Sequence, residues 1–456
     1  MIYILFVGTI ILLLINFFLS GYDYLYPSFI FCLVFSVAEF ACILGQQTYE
    51  IVIHSETTII LLGGELIFTF FSLITFLGKK RISYKEHPIP VNEIKISFFL
   101  EWGTIILQLL AIMFFIKYLK NISFAYDGQS RSLTELISLY DVMTKFWTDL
   151  FNDLHVPVPT IYRIANPLVS AVAYIIIYIA VNNFIAIKKI KISHVMIIGL
   201  QCVLIILNGS RSPLFRILTM VFILAYMMQY RRGKIKKGNI KLLLKLIMLV
   251  IGAAIFFLIL LNLMGRTGKG EEKIAHYLFV YIGAPIVNLD NFIVNKLPTV
   301  STVLVGEQTF RKLYNYVGKI LKISSFQYGG VNPFVFSANG IEIGNVFTTY
   351  YYYIYDFGFV GVIPLTIVVA CYYVVTYSRL LSAKREKKMI NLNLLFYAYL
   401  FNDLVMQFFS SRFYETILDA PFIKLLIVVI FVDILLVEHK ISLGRYYFKI
   451  PKIKKI

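Results

Sequence analysis

Uninterrupted apolar runs, each about as long as a bilayer is thick, recur along the chain and dictate its secondary structure. They occupy positions 2–19, 25–44, 57–78, 97–117, 167–187, 193–208, 213–230, 242–262, 345–378, 391–409 and 420–437. At 1.5 Å rise per residue, about 20 apolar residues cross a hydrocarbon core of about 30 Å. Lipid offers nothing to pair with a free amide, so such runs must be helices or strands of a closed barrel. Barrel strands would alternate polar and apolar residues over segments of about 10; here the runs are continuous. The pattern predicts an all-α fold, a polytopic integral membrane bundle of about 11 helices forming a single domain over 1–456. The first run lacks a basic leader and a small-residue cleavage motif and reads as a retained helix.

Between the runs, two connections far exceed the few residues that join neighbouring helices, and long ordered loops commonly carry function. The first spans 118–166 and the second 263–344. Within the first, Leu133, Leu136, Ile137, Tyr140, Met143, Phe146, Trp147 and Leu150 recur at helical spacing, predicting an amphipathic helix over 132–154. The second carries helical patterns over 274–295 and 309–321.

Composition sharpens this picture. Of 456 residues, 59% are hydrophobic and only 15% charged, too few charges to cover the surface of a soluble protein of this size. The net charge of +18 raises the question of a nucleic-acid partner, but most basic residues cluster in alternate connections. These are Lys79–Lys95, Lys188–Lys191, Arg231–Lys245, Arg379–Lys388 and the tail from Lys440. That is the positive-inside pattern, which places these connections and the C-terminus in the cytoplasm, against anionic lipid headgroups, and leaves no nucleic-acid face. Both long loops then lie outside. Cys32, Cys42, Cys202 and Cys371 all fall in apolar runs without metal-ligand spacing and read as small buried hydrophobes. No metal or other cofactor is expected.

The polar residues near the outer ends of the runs carry the candidate chemistry. Arg163 lies in the first loop; Arg266, His276, Asp290, Arg311 and Glu342 lie in the second. Arg211 occupies the turn Gly209-Ser210-Arg211-Ser212-Pro213, with Arg216 just inside the next run, and Arg412 occupies Ser410-Ser411-Arg412-Phe413-Tyr414-Glu415. Guanidinium groups are fixed cations whose forked donors match phosphate oxygens, so several on one face suit a diphosphate; equally, Arg211 and Arg412 can serve as interfacial anchors. Asp403 and Gln407, one turn apart, read as hydrogen-bonding glue between helices. Glu39, Glu65 and Glu101 sit inside early runs, where a charge is costly, and leave a proton or ion pathway open. The stretch Gly265-Arg266-Thr267-Gly268-Lys269-Gly270 lacks the spacing of a nucleotide-binding loop.

Taken in order, several motifs resemble the Wzy-type family of bacterial O-antigen and capsule repeat-unit polymerases. They are Gly209-Ser210-Arg211-Ser212-Pro213, Tyr281-Ile282-Gly283-Ala284-Pro285 with Asn288-Leu289-Asp290, Gly306-Glu307-Gln308-Thr309-Phe310, Asn345-Val346-Phe347-Thr348-Thr349, and Tyr355-Asp356-Phe357-Gly358. The resemblance implies a glycosyltransferase in the bacterial cytoplasmic membrane. It would join undecaprenyl-diphosphate-linked oligosaccharides at the outer face, in company with a chain-length regulator. On that expectation Arg211, Arg266 and Arg412, with Arg163 and Arg311 in reserve, contact the diphosphate, and Asp290, His276 or Glu342 acts as base. A ligase-like glycan transferase and a lipid-linked oligosaccharide flippase are the rival expectations. Asp356 is expected to shape the start of its helix, and Tyr350 to Tyr353 to form an interfacial aromatic belt.

Overall fold

The computed structural model describes residues 1–78, 89, 91–235, 238–239, 241, 244, 248, 252, 271–295, 304–326, 332–382, 389–434, 440–443 and 446–449. The expected run at 242–262, nearly all of it, and the glycine-rich stretch with Arg266 lie outside the described residues.

The chain is an all-α helical membrane protein. Its helices are α1 (Ile2–Leu19), α2 (Pro27–Gly45), α3 (Ser55–Leu77), α4 (Phe98–Asp127), α5 (Leu133–Lys145), α6 (Thr148–Asp153), α7 (Thr160–Ile187), α8 (Ile192–Leu207) and α9 (Ser212–Arg231). They continue with α10 (Glu271–Ile282), α11 (Ala284–Val294), α12 (Arg311–Leu321), α13 (Thr349–Leu381), α14 (Leu392–Val405), α15 (Arg412–Ile417) and α16 (Ala420–Val432). Among the described residues, strands are confined to two antiparallel hairpins, β1 (Val335–Phe336) with β2 (Glu342–Gly344), and β3 (Lys440–Leu443) with β4 (Tyr446–Lys449). Seven of the described helices, α1, α2, α3, α4, α7, α9 and α13, are long and apolar enough to cross a bilayer. The expected runs at 193–208 and 420–437 form apolar helices of only 16 and 13 residues, α8 and α16. The run at 391–409 gives the 14-residue α14, closed by a 3-10 turn.

Exposed Val7, Ile11, Phe70, Phe99, Ile106 and Ile427 give the bundle an apolar exterior, the surface that lipid requires. Inside, α1 packs on α2 and α3, α13 on α3, α14 on α9, α4 on α7 and α8, and α16 on α7. A smaller core under the first long loop gathers Phe115 and Tyr118 of α4, Leu136 and Met143 of α5, and Tyr162 of α7. The amphipathic stretch is split into α5 and α6, and α5 starts on a capping box of Ser132 and Glu135.

Contacts between connections sort to two ends, as alternating crossings demand. At one end Asn183 Oδ1 accepts from the Ile94 amide at 2.8 Å, the Ile89 amide donates to the Arg231 carbonyl, and the Gly238 amide to the Tyr22 carbonyl. At the other, Asn339 donates to the Thr48 carbonyl and His54 meets Asp290.

Part of the second long loop enters the bundle. Helices α10 and α11 meet at a 54° bend and together are apolar enough to cross, and residues 283–290 are all buried, α11 packing on α2 and α3. The motifs of this loop hold one another. Asn288 Nδ2 donates to the Val346 carbonyl at 2.8 Å, and the Asp356 carboxylate accepts the amides of Gln308 at 3.0 Å and Thr309 at 2.6 Å. Asp356 thus anchors a distant turn instead of the start of its own helix. Helix α13 breaks at Gly358, where φ 64° and ψ −169° suit glycine and few other residues. Ahead of the break, Tyr350, Tyr351, Tyr352 and Tyr353 are buried and pack the interior, not an interfacial belt.

Candidate functional site: a cation-lined cavity at one end of the bundle

The turn Gly209-Ser210-Arg211-Ser212-Pro213 joins α8 to α9. Gly209 takes φ +67°, and a Cβ there would fall 2.7 Å from Asp141 Cβ, so the turn is seated against α5 of the first long loop. Pro213 in the first turn of α9 loses no hydrogen bond, because helix starts leave those amides unpaired in any case. Facing it, the 3-10 turn Met406–Phe408 ends α14 and leads into α15, which presents Arg412 and Glu415.

These elements enclose a cavity of about 550 Å³. Its wall carries Asn166, Ser170 and Tyr174 of α7, Gln201 of α8, Asn208, Ser210 and Ser212 of the turn, Arg216, Lys312, Tyr399, and then Arg412, Glu415, Thr416, Asp419 and Lys424. Four cations therefore face two carboxylates across one space.

Arg216 is the most tightly held of these. Its Nη2 donates to Asp403 Oδ1 at 2.7 Å and to the Thr416 hydroxyl at 3.1 Å, its Nη1 donates to the Tyr399 hydroxyl at 2.8 Å, and the guanidinium lies 4.5 Å from the Tyr399 ring centroid. The Asp403 side chain is fully buried and that of Arg216 is 12% exposed. Arg412 donates to Glu415 Oε2 at 3.1 Å, and Ser410 donates to the other oxygen of that carboxylate. In both arginines Nε is buried and has no hydrogen-bond partner. Each guanidinium already holds one carboxylate, and these Nε atoms are enclosed by protein and not open to the cavity.

Around this core stand further cations. Lys145 of α5 is about half exposed and ion-paired with Asp141, with Arg211 and Arg412 nearby. Arg311 sits beside Lys312 at the start of α12, close to Tyr352. Asp419, just before α16, is drawn the other way. Burial raises its carboxyl above the usual range, against the pull of Lys312.

The structure thus brings Arg211, Arg311 and Arg412 of the sequence candidates to this region. Arg163 is exposed on α7 and is not part of the wall, and Arg266 lies outside the described residues. None of the three expected bases lines the cavity. Asp290 is buried, and its two oxygens take the backbone amide of His54 at 2.8 Å and His54 Nδ1 at 2.7 Å. His276 Nδ1 lies 3.1 Å from the Tyr49 hydroxyl, and Glu342 is exposed on β2. Sequence reasoning passed over Lys312, Lys424 and Asp419, and left Arg216 and Asp403 without a site. The available signal was an arginine four residues into an apolar run, which has to find a counter-ion.

A second cavity, of about 510 Å³, is apolar and lies between α3 and α13, lined by Ile59, Ile60, Gly63, Ile67, Phe359, Val362 and Ile363, with Glu56 at its rim. Among the described residues no group of three or more His, Cys, Asp and Glu side chains is placed to hold a metal ion. No family model, curated protein or solved structure matches the chain.

Proposed function

We propose that the chain is a membrane-embedded glycosyltransferase that polymerises undecaprenyl-diphosphate-linked oligosaccharide repeat units into O-antigen, capsule or a related surface polysaccharide. It acts at the outer face of the bacterial cytoplasmic membrane. On this reading the seven long apolar helices, with α8, α14 and α16 as shorter crossings, span the bilayer, the basic connections and the C-terminus are cytoplasmic, and the cavity opens outward. The observation that carries this reading is the gathering of four cations, Arg216, Lys312, Arg412 and Lys424, in the wall of one cavity.

The reaction has needs that this wall meets. The acceptor hydroxyl oxygen bonds to the donor's anomeric carbon while the bond from that carbon to the diphosphate oxygen breaks, and the electron pair leaves with the diphosphate. Arg412 and Arg216, with Arg211 and Lys312 alongside, stabilise that growing negative charge without shedding their own. The hydroxyl proton passes to Asp419, which replaces Asp290, His276 and Glu342 as base because it stands in the same cavity as the cations. The apolar space between α3 and α13 takes an isoprenoid tail.

A deletion strain complemented with the wild-type chain should regain long surface glycan, and the uncomplemented strain should carry single repeat units. Complete loss of surface glycan in the deletion strain would instead indicate a carrier, and long unattached polymer would indicate a ligase.

A further inference from the structure

Two carboxyl groups that the cavity does not use meet inside the membrane portion of the bundle. Thr9 of α1, Glu39 of α2 and Glu65 of α3 are each fully buried near the middle of their helices. The Thr9 hydroxyl oxygen is 3.0 Å from Glu39 Oε1 and 3.1 Å from Glu65 Oε1. A hydroxyl carries one hydrogen. It donates to one carboxylate, and the other contact is a hydrogen bond only when that second carboxyl supplies a proton.

The surroundings offer no substitute for this proton. The Oε2 atoms of both glutamates are buried without a hydrogen-bond partner, as is the Tyr350 hydroxyl from α13. That hydroxyl presses on the backbone beside Glu65, where a Cβ on Gly64 would fall 1.7 Å from it. The other titratable groups that act on the pair are the thiols of Cys32 and Cys42 on α2. No cationic side chain is paired with either glutamate among the described residues. Two bare anions at this depth would be prohibitively costly. A hard metal cation collects about six oxygens, more than two free Oε2 atoms, a phenol and a threonine provide, because helical carbonyls are already engaged.

We propose that Glu39 and Glu65 form a one-proton binding site within the membrane, the proton shared across Thr9. It acts as a latch on α1, whose packing is chiefly on α2 and α3. Loss of the proton sets two like charges across a single hydroxyl and loosens α1 from its neighbours. The site stands on its own geometry and does not depend on the transferase reading.

The test uses the full-length protein in lipid nanodiscs, comparing glutamate-labelled infrared spectra of the wild type and of Glu39→Gln/Glu65→Gln. At neutral pH the wild type should show the carbonyl band of one neutral glutamic acid, and the double variant should lack it. The folded state keeps a proton that the unfolded chain releases above the ordinary carboxylate range, so the melting temperature should fall as pH rises from that range until the folded site also gives up its proton. Glu39→Gln and Glu65→Gln, each a shape-mimic of the protonated acid, should fold and flatten that fall. Thr9→Val should shift the band toward that of a free carboxyl. Absence of a neutral-glutamate band removable by the double variant would overturn the proposal, as would intensity matching two neutral acids. A melting temperature that follows sodium concentration in place of pH would overturn it as well.

Discussion

In the sector built from α7, α9, α14 and α15, guanidinium groups keep carboxylate partners beside an open cavity. In the sector built from α1, α2 and α3, two carboxyls close on one hydroxyl away from solvent. The contrast follows from acid–base chemistry. A guanidinium does not lose its proton, so inside a membrane protein it must keep a counter-ion, a cavity or both. A carboxyl can give up its charge by binding a proton, so two carboxyls sharing one proton bring a single charge into the core in place of two. Fixed charge therefore stays beside an opening or a counter-ion, and removable charge lets helices be joined without an opening.

The comparison can be broken at four points. Asp419→Asn is expected to cut chain extension most, by about 10²–10⁴-fold, the usual worth of a general base. Because burial raises this carboxyl, it stays neutral at pH values where ordinary carboxylates are ionised. Wild-type activity should therefore climb with pH through a range above theirs, and the Asn variant should show no such limb. An acid limb at the ordinary carboxylate pH would remove Asp419 from the base role.

Asp403→Ala strands Arg216 in the protein interior and should cost about 3–5 kcal/mol of stability, the range for breaking a buried pair from one side. Denaturant melts in detergent measure this. A loss near zero would mean that the guanidinium rehydrates through the cavity. Arg412→Ala and Arg211→Ala should each reduce polymer formation by about 10²–10³-fold, the scale of losing one charge-stabilising donor, while the melting temperature holds. Normal polymer length from either variant would take that residue out of the site. Gly64→Ala should destabilise by about 1–3 kcal/mol through overpacking against Tyr350, with the cavity variants' phenotype absent. Selective loss of polymerisation in Gly64→Ala would show that the two sectors are coupled.

Much of the helical frame was legible in the sequence because lipid makes run length decisive. Helix α1 has the predicted bounds, and α3 and α9 differ from theirs by a residue or two. The turns bearing Arg211 and Arg412 were legible because each interrupts an apolar run with a cation. The pair of Arg216 and Asp403 was not, since its members are 187 positions apart and each resembles an isolated helix residue. The partner of Asp290 was hidden for the same reason. A charge in a long loop reads as available chemistry, and only folding shows that His54, 236 positions earlier, occupies both of its oxygens. The tyrosine run was misplaced because its partners, among them Phe35, Gly64, Phe292 and Tyr414, come from distant parts of the chain, and hydropathy does not show which aromatic residues the fold will cover.

The carboxylate of Asp356 grips the Gln308 and Thr309 amides two residues before α12 begins at Arg311, so the position of Lys312 is inherited from the upper arm of α13. A bend change at Gly358 would travel through that grip as through a lever and retract or advance a positive charge at the cavity wall.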